Sequence, residues 1–225
     1  MILRAAFLLC CMLGPLAYLW AQSNANVQPA ESKYLGTFRI NAKSDGVKGT
    51  PFLFDNPPNG KIKLSGGKEY ESIPFNILLE KNEVYIQTDG VDSDPLPVRN
   101  WETIVIPEDG NRLFRTEYLN GKPQVLEILF EKDGEKFVAQ HAKTLIRPTQ
   151  QRDGYTGPQY DTFRHEIKYF RIKGMQTVEI KVNTAGLKEL AGSKYEDVRD
   201  YIKNEKLKPE DPKDMSKILS YIFGG

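Results

Sequence analysis

Short segments rich in β-branched and aromatic residues, separated by turn residues, occupy most of this 225-residue chain. Segments of this composition are typical of β-strands, and the Gly, Asn, Asp and Pro clusters between them are typical of turns. No helical pattern interrupts them before residue 183, which favours antiparallel connections over helical crossovers. Strands are predicted at 34–41, 60–64, 70–79, 83–88, 99–106, 112–119, 125–131, 136–146, 163–172 and 177–182.

Three turns between these segments contain an Asx-Gly pair, at Asp89-Gly90, Asn120-Gly121 and Asp133-Gly134. Such pairs tolerate the positive φ angles of tight hairpins. Apolar and charged residues alternate along 177–182, which predicts a sheet with one covered face and one wetter face. The expected fold is therefore mainly β, as an antiparallel sheet arranged as a sandwich or an open barrel, over a β domain at 26–182. The long turn-rich segment at 149–161 is a candidate boundary within it.

A helical pattern follows over 183–225 and predicts a C-terminal helical element. Thr184 is predicted to cap a short first turn, and Ser193 with Glu196 matches a capping box for a second helix. Asp211 followed by Pro212 predicts the start of a third helix. Its apolar stripe indicates a face that packs on other elements and comprises Met215, Ile218, Leu219, Ile222 and Phe223.

The first twenty residues have the pattern of a secretory signal peptide. A basic start ending at Arg4 precedes an apolar run, which Gly14-Pro15 interrupts. A membrane span needs about 20 consecutive apolar residues, so this shorter run favours a cleaved peptide over a retained anchor. We expect a signal peptide over 1–21 with cleavage between 21 and 25, and no transmembrane span in the mature chain. The mature protein would be periplasmic, associated with the outer membrane, or secreted.

Charge and cysteine content exclude several classes of function. The full chain has a formal net charge of +1, and its two cysteines, Cys10 and Cys11, lie in the apolar run. Removing the signal peptide also removes Arg4, so the mature chain is expected to be neutral and free of thiols. A neutral chain lacks the basic excess of a nucleic-acid binder. Disulfides and cysteine metal ligands are excluded as well, and no cofactor is predicted.

One loop carries the residue types of a binding surface. Tyr155 and Tyr160 lie among Gly and Pro residues beside Arg152 and Asp153. Tyrosine on a loop offers a flat stacking face and a hydroxyl group, as in many binding sites. These four residues are the candidate binding site, and the alternative is a connecting loop anchored by two tyrosines.

Three carboxylates offer a second candidate site, for calcium, at Asp89, Asp92 and Asp94. Calcium takes hard oxygen ligands, but the twelve-residue EF-hand order with its bidentate Glu is missing. A solvated turn is the simpler interpretation.

The two histidines are the candidates for proton transfer or metal binding. His165 falls on the predicted strand 163–172, on the same face as Phe163, Ile167 and Tyr169. It could act as a general base, but no G-x-S-x-G motif supplies a nucleophile, so a half-buried structural histidine is favoured. His141 lies more than twenty positions away, and no metal-binding spacing surrounds either residue. No catalytic residue is predicted.

A set of turns, strand aromatics and helix stripes extends over most of the chain after the signal-peptide region. It comprises Gly49-Thr50-Pro51-Phe52-Leu53, Asp55, Gly60-Lys61-Ile62, Gly67-Lys68, Tyr70, Ile73-Pro74-Phe75-Asn76, Leu187, Leu190, Tyr195, Val198, Tyr201-Ile202-Lys203-Asn204-Glu205-Lys206-Leu207, Asp214-Met215, Ile218-Leu219 and Tyr221. In these residues the chain resembles a group of uncharacterised, signal-peptide-bearing proteins of the Gram-negative cell envelope. The resemblance implies export and a β-then-α architecture, and it implies no activity.

The expected function is non-covalent binding by an exported envelope protein, with a protein, a glycan or a lipid as the ligand. A hydrolase using converging carboxylates and a structural subunit of an envelope complex are the alternatives. An enzyme should show a pocket with perturbed carboxylates or His165, and a binding module should show a groove or an aromatic patch. A structural subunit should show a broad apolar surface or an open sheet edge.

Overall fold

The computed structural model describes residues 46–88, 93–147 and 160–224, which form one large open sheet followed by a C-terminal helical element. The predicted mainly β fold with C-terminal helices is confirmed. The signal-peptide region and the predicted strand 34–41 lie outside these residues. The strands are β1 Val47–Lys48, β2 Asn59–Leu64, β3 Glu69–Leu78, β4 Glu83–Ile86, β5 Leu96–Val98, β6 Trp101–Ile106, β7 Arg112–Leu119, β8 Lys122–Lys132, β9 Glu135–Ile146, β10 Asp161–Lys173 and β11 Gln176–Ile180.

The strand order in the sheet is β1-β10-β9-β8-β7-β6-β2-β3-β4-β5, and β11 also pairs with β10. All neighbouring pairs are antiparallel except β1 and β10, which run parallel. The sheet is therefore mixed and not purely antiparallel as predicted. The sheet is open and does not close on itself.

Tight Asx-Gly turns connect the long strands at the centre of the sheet. Asn120 and Gly121 join β7 to β8 with φ angles of 52° and 77°, and Asp133 and Gly134 join β8 to β9 with 53° and 75°. Both predicted turns are confirmed, because these residue types tolerate the left-handed conformation that a two-residue hairpin requires. The third pair, Asp89-Gly90, lies outside the described residues.

β3 connects two parts of the sheet by changing partners along its length. Its first half pairs with β2 and its second half with β4, and Ser72, at φ 52°, lies in the first half. The other side of the second half is taken by the segment 52–54, where Leu53 N–H donates to the Ile77 carbonyl at 2.9 Å. The Asn76 side chain accepts from the Phe54 N–H at 3.0 Å and donates to the Phe54 carbonyl at 2.8 Å. This amide therefore substitutes for a neighbouring strand.

The helices are α1 Thr184–Ala191, α2 Tyr195–Asn204 and α3 Pro212–Phe223. Asp211 caps α3 as predicted, because its side chain accepts from the Lys213 N–H. The two other predicted caps are wrong. Asn183 caps α1 in place of Thr184, and α2 starts after a 3₁₀ turn that includes Ser193, with no side-chain cap. No helix in the described ranges is both long and apolar enough to cross a membrane.

One face of the sheet, here called the inner face, carries two apolar clusters. Phe114, Glu127, Ala139 and Tyr169 face one another across β7 to β10 and define this face. The first cluster contains Leu53, Ile62, Ile73, Phe75, Ile77, Val84, Ile86, Ile104, Ile106, Phe114 and Val125. The second cluster joins the sheet to the helices and contains Leu129, Phe137, Ala139, Tyr169, Leu187, Ala191, Val198, Met215, Ile218, Leu219 and Ile222.

Helix α3 supplies the largest share of the helical side of the second cluster. Met215, Ile218 and Leu219 are completely buried, as their spacing along the stripe predicts. Burying side chains of this size contributes roughly 1.5–3 kcal/mol each. The Ser216 hydroxyl also donates to the Leu129 carbonyl at 2.7 Å, which fixes α3 on β8.

Candidate functional site

A row of four polar side chains crosses the inner face between the two apolar clusters. Arg112 on β7, Glu127 on β8, His141 on β9 and His165 on β10 contribute one residue from each of four neighbouring strands. Side chains two or four residues apart on a strand lie on the same face of the sheet. All four residues therefore lie on the inner face, since each is zero, two or four positions from the inner-face residue of its own strand: Phe114, Glu127, Ala139 or Tyr169. We call these residues the polar row.

A buried ion pair forms one half of the polar row. Arg112 donates from Nε to Glu127 Oε1 at 2.7 Å and from Nη2 to Oε2 at 2.8 Å. The side chains are 13% and 2% exposed. The guanidinium carbon also lies 5.4 Å from the ring centroids of Phe54 and Phe114. These bidentate hydrogen bonds offset the desolvation free energy of burying both charges.

The hydrogen-bond donors Arg112 and His141 keep the Glu127 carboxyl group in its charged form. Burial acts to raise the pKa of the Glu127 carboxyl, but the hydrogen bonds from Arg112 and His141 outweigh it and hold the pKa below its usual range. Glu127 is therefore ionised at neutral pH and acts as a permanent acceptor for the histidine next to it.

The two histidines form the other half of the polar row. His141 Nε2 lies 2.8 Å from Glu127 Oε2, and His141 Nδ1 lies 3.0 Å from His165 Nε2. Since the carboxylate only accepts, His141 Nε2 carries the hydrogen and its Nδ1 accepts from His165 when both rings are neutral. In this arrangement His165 donates a hydrogen bond to His141, and His141 donates one to Glu127. The remaining ring nitrogen, His165 Nδ1, is then an acceptor at the end of the row.

His165 is held in its neutral form. Partial burial, together with the neighbouring His141 ring and the positive charges of Lys143 and Arg112, lowers the pKa of His165 to about 4. Lys143 lies beside this pair and forms an ion pair of 3.1 Å with Asp55, which ties the segment after β1 to β9.

A groove of about 550 Å³ lies beside the polar row, between β7, β8 and α3. Arg112 and Glu127 contribute to its wall, and its apolar floor includes Leu129, Phe130 and Pro212. The remaining lining residues are Glu108, Asp109, Gly110, Asn111, Leu113, Ile128, Glu131, Lys213, Ser216 and Lys217.

The charges that line the groove are largely neutralised within the protein. Lys213 on α3 binds Asp109, which also accepts from Arg112 at 3.3 Å. Lys217 pairs with Asp214 at 3.0 Å, and Glu131 pairs with Arg115 on β7. These pairs leave a surface that is polar at its rim, apolar at its floor and without a strong net charge.

Two carboxylates do converge here, as the hydrolase alternative requires, but they are bridged by an arginine. Burial acts to raise the pKa of Asp109, and Lys213 and Arg112 outweigh it and lower that pKa. Asp109 and Glu127 are therefore both ionised at neutral pH. A glycosidase-type pair needs one protonated carboxyl as the acid. As placed, these two groups anchor Arg112 and do not supply a proton.

The candidate binding loop is only partly described. Tyr160 immediately precedes β10, and the Lys48 ammonium lies 3.9 Å from the centroid of its ring in a cation–π contact. Arg152, Asp153 and Tyr155 lie outside the described residues. Tyr160 is therefore seen only as an anchor for β1 on β10, and the loop hypothesis remains a prediction.

The candidate calcium site is also only partly described. Asp94 lies in the described segment that begins at residue 93, whereas Asp89 and Asp92 lie outside the described residues. Within the described ranges, no group of three His, Cys, Asp or Glu side chains is arranged to hold a metal ion.

The polar row was not predicted from the sequence, although the sequence does indicate on which face of its strand His165 lies. The predicted face of His165 is confirmed, because Phe163, Ile167 and Tyr169 alternate with the outward residues of β10. The contact with His141 depends on the register of β9 against β10, which pairs His141 with Ile167 and Lys143 with His165. A connection as long as 147–160 does not fix that register.

The chain matches no known protein family, no curated protein and no solved structure.

Proposed function

We propose that this chain is an exported protein of the Gram-negative cell envelope that binds another protein non-covalently. The signal-peptide pattern over 1–21 and the resemblance to envelope proteins support the location. The observation that carries the binding function is the groove between β7, β8 and α3. Its volume of about 550 Å³ is sufficient for a short segment of a partner chain.

The chemistry of the groove favours a protein over the other ligand classes. Lining charges of both signs are neutralised by neighbours, so a strongly charged ligand gains little. Among the described residues, no Tyr or Trp lines the groove as a stacking platform for a sugar ring. A lipid tail would lie against the rim formed by Asp109, Lys213 and Lys217. A peptide segment presents both apolar side chains and main-chain hydrogen-bonding groups, which match the floor and the rim.

Site-specific photo-crosslinking in the native envelope tests this proposal. A photoreactive residue at Lys217, on the rim, is expected to form an adduct with one partner protein. The same residue at Lys203, near the end of α2 and outside the groove lining, serves as the matched control and should not. Glu108→Trp places a large ring in the groove and should abolish the adduct, whereas Glu205→Trp should leave it intact.

Three results would contradict the proposal. Identical adducts from positions 217 and 203 would mean non-specific contact. An adduct that survives Glu108→Trp would place the partner elsewhere. An adduct whose mass is that of a glycan or a lipid would refute the choice of ligand.

A further inference from the structure

A second cavity, of about 380 Å³, lies among β2, β3, β4 and β5 and shares no lining residue with the groove. Its floor includes Ile62 on β2 and Ile86 on β4, which are buried members of the first apolar cluster. Its walls include Leu64, Tyr70 and Val98, which are only partly buried and pack against the same cluster. We call this cavity the β5 pocket. A ligand with an apolar body would be removed from water there.

The mouth of the β5 pocket carries a positive charge. Arg99 and Asn100, which connect β5 to β6, line the pocket and are exposed. Within the described ranges, no carboxylate pairs with the Arg99 guanidinium, and no Asp or Glu lines the pocket. The Asn100 side chain likewise makes no hydrogen bond to a described residue. The donors of both side chains are therefore available to a ligand.

The neighbouring carboxylates are engaged on the opposite face of the sheet. Glu69 and Glu71 flank Tyr70 on β3, so their side chains point away from the pocket. Both pair with Lys61, at 2.9 and 2.8 Å. On the pocket side, the Lys68 ammonium lies 4.6 Å from the centroid of the Tyr70 ring. A second cation therefore lies near the mouth, and an anionic group is favoured there.

We propose that the β5 pocket binds a fatty acid, with the acyl chain against Ile62 and Ile86 and the carboxylate at Arg99. An acyl chain matches the apolar floor and walls, and a guanidinium binds a carboxylate through two parallel hydrogen bonds. The pocket volume is near the lower end of the range for small-molecule sites, which suits one acyl chain and not the two chains of a diacyl lipid. The fatty acid would be a ligand in addition to the protein partner of the groove.

Calorimetric titration of the purified chain with dodecanoate, below its micellar concentration, tests the proposal. Dodecanoate is expected to bind roughly 15-fold more tightly than decanoate, because two further CH₂ groups are buried. Trp101 pairs with Leu64 of the pocket wall, so its fluorescence should change on binding. The other tryptophan, Trp20, lies in the predicted signal peptide, and the mature chain is used for this reason.

Two variants separate the head group from the chain. Arg99→Gln should weaken dodecanoate binding about tenfold and leave 1-dodecanol, which has no charge, within twofold of the parent. Val98→Phe fills the pocket and should abolish binding of both compounds. The matched controls are Arg199→Gln on α2 and Val178→Phe on β11, which lie outside the pocket lining and should bind as the parent does. Unchanged circular dichroism shows that each variant folds.

Each contrary result identifies a different error. Neither heat nor a change in Trp101 fluorescence with dodecanoate means that the pocket takes no acyl chain. Equal affinities for decanoate and dodecanoate mean that only charge is recognised. Arg99→Gln that binds dodecanoate as the parent does, or Arg199→Gln that is equally weakened, removes the role of Arg99. Binding that survives Val98→Phe places the chain elsewhere. Dodecyl phosphate that binds tenfold more tightly than dodecanoate contradicts the choice of a carboxylate head group.

Discussion

Replacing Glu127 by Gln removes the negative charge from the centre of the polar row and leaves Arg112 buried without its main partner. The two hydrogen bonds of 2.7 and 2.8 Å lose their ionic character, and Asp109, the other carboxylate on the guanidinium among the described residues, lies at 3.3 Å. Breaking one side of a buried ion pair costs about 3–5 kcal/mol. The free energy of unfolding of Glu127→Gln should fall by this amount, measured by urea unfolding with circular dichroism.

The double variant Arg112→Met/Glu127→Gln shows whether the loss comes from the unpaired charge. Met is apolar and of similar length, and the Gln amide oxygen still accepts from His141. The double variant is therefore expected to be more stable than Glu127→Gln, with a coupling energy of about 2 kcal/mol or more. As a surface control, Glu196→Gln breaks the pair with Arg199, in which the side chains are 67% and 56% exposed, and should cost less than about 1 kcal/mol. A loss below 1 kcal/mol for Glu127→Gln, or additive single losses, would refute the reasoning.

Three further predictions concern pH, capping and packing. Because the pKa of His165 falls from 6.5 to about 4 on folding, the unfolded chain takes up a proton first as the pH falls. Stability should therefore decline from about pH 6.5 towards pH 4, by about 1 kcal/mol after solvent screening at this partly buried, partly solvated ring, and His165→Asn should remove the decline between pH 6.5 and 5. Asn183→Ala should lower the free energy of unfolding by about 0.5–2 kcal/mol through loss of the α1 cap, whereas Thr184→Ala should change it little. Leu219→Ala, at a fully buried position, should cost about 2–5 kcal/mol, against less than 1 kcal/mol for the exposed Tyr221→Ala. Thermal and urea unfolding measure all three, and equal losses within either matched pair would contradict the assigned contacts.

The strands were predictable because their local chemistry agrees with their place in the sheet. β7 has the predicted bounds, Arg112–Leu119, since its alternation and its Asn-Gly turn both specify it. β1 and β5 were missed because two or three residues carry no periodic signal, and β5 contains Pro97. The capping box at Ser193 failed because the 3₁₀ turn continues from α1, and the Gly192 N–H already donates to the Lys188 carbonyl.

The candidate site was far less predictable than the fold. Arg112 and Glu127 are 15 positions apart and His141 and His165 are 24 apart. They meet only because β7 to β10 pair in one particular register. Charged residues on strands are ordinarily solvent-facing, so neither carboxylates nor arginines stand out before the sheet is assembled. The groove depends further on where α3 packs, which the apolar stripe predicts only in part.

The order of elements along the chain has a consequence for biosynthesis. Leu129, Phe137 and Tyr169 are synthesised before the helix that packs on them, α3 at Pro212–Phe223. Until that last helix is made, these apolar side chains are open to contact with other chains, which favours aggregation. Loss of α3 by premature termination would therefore yield a chain that is cleared by proteases, even though every strand is intact.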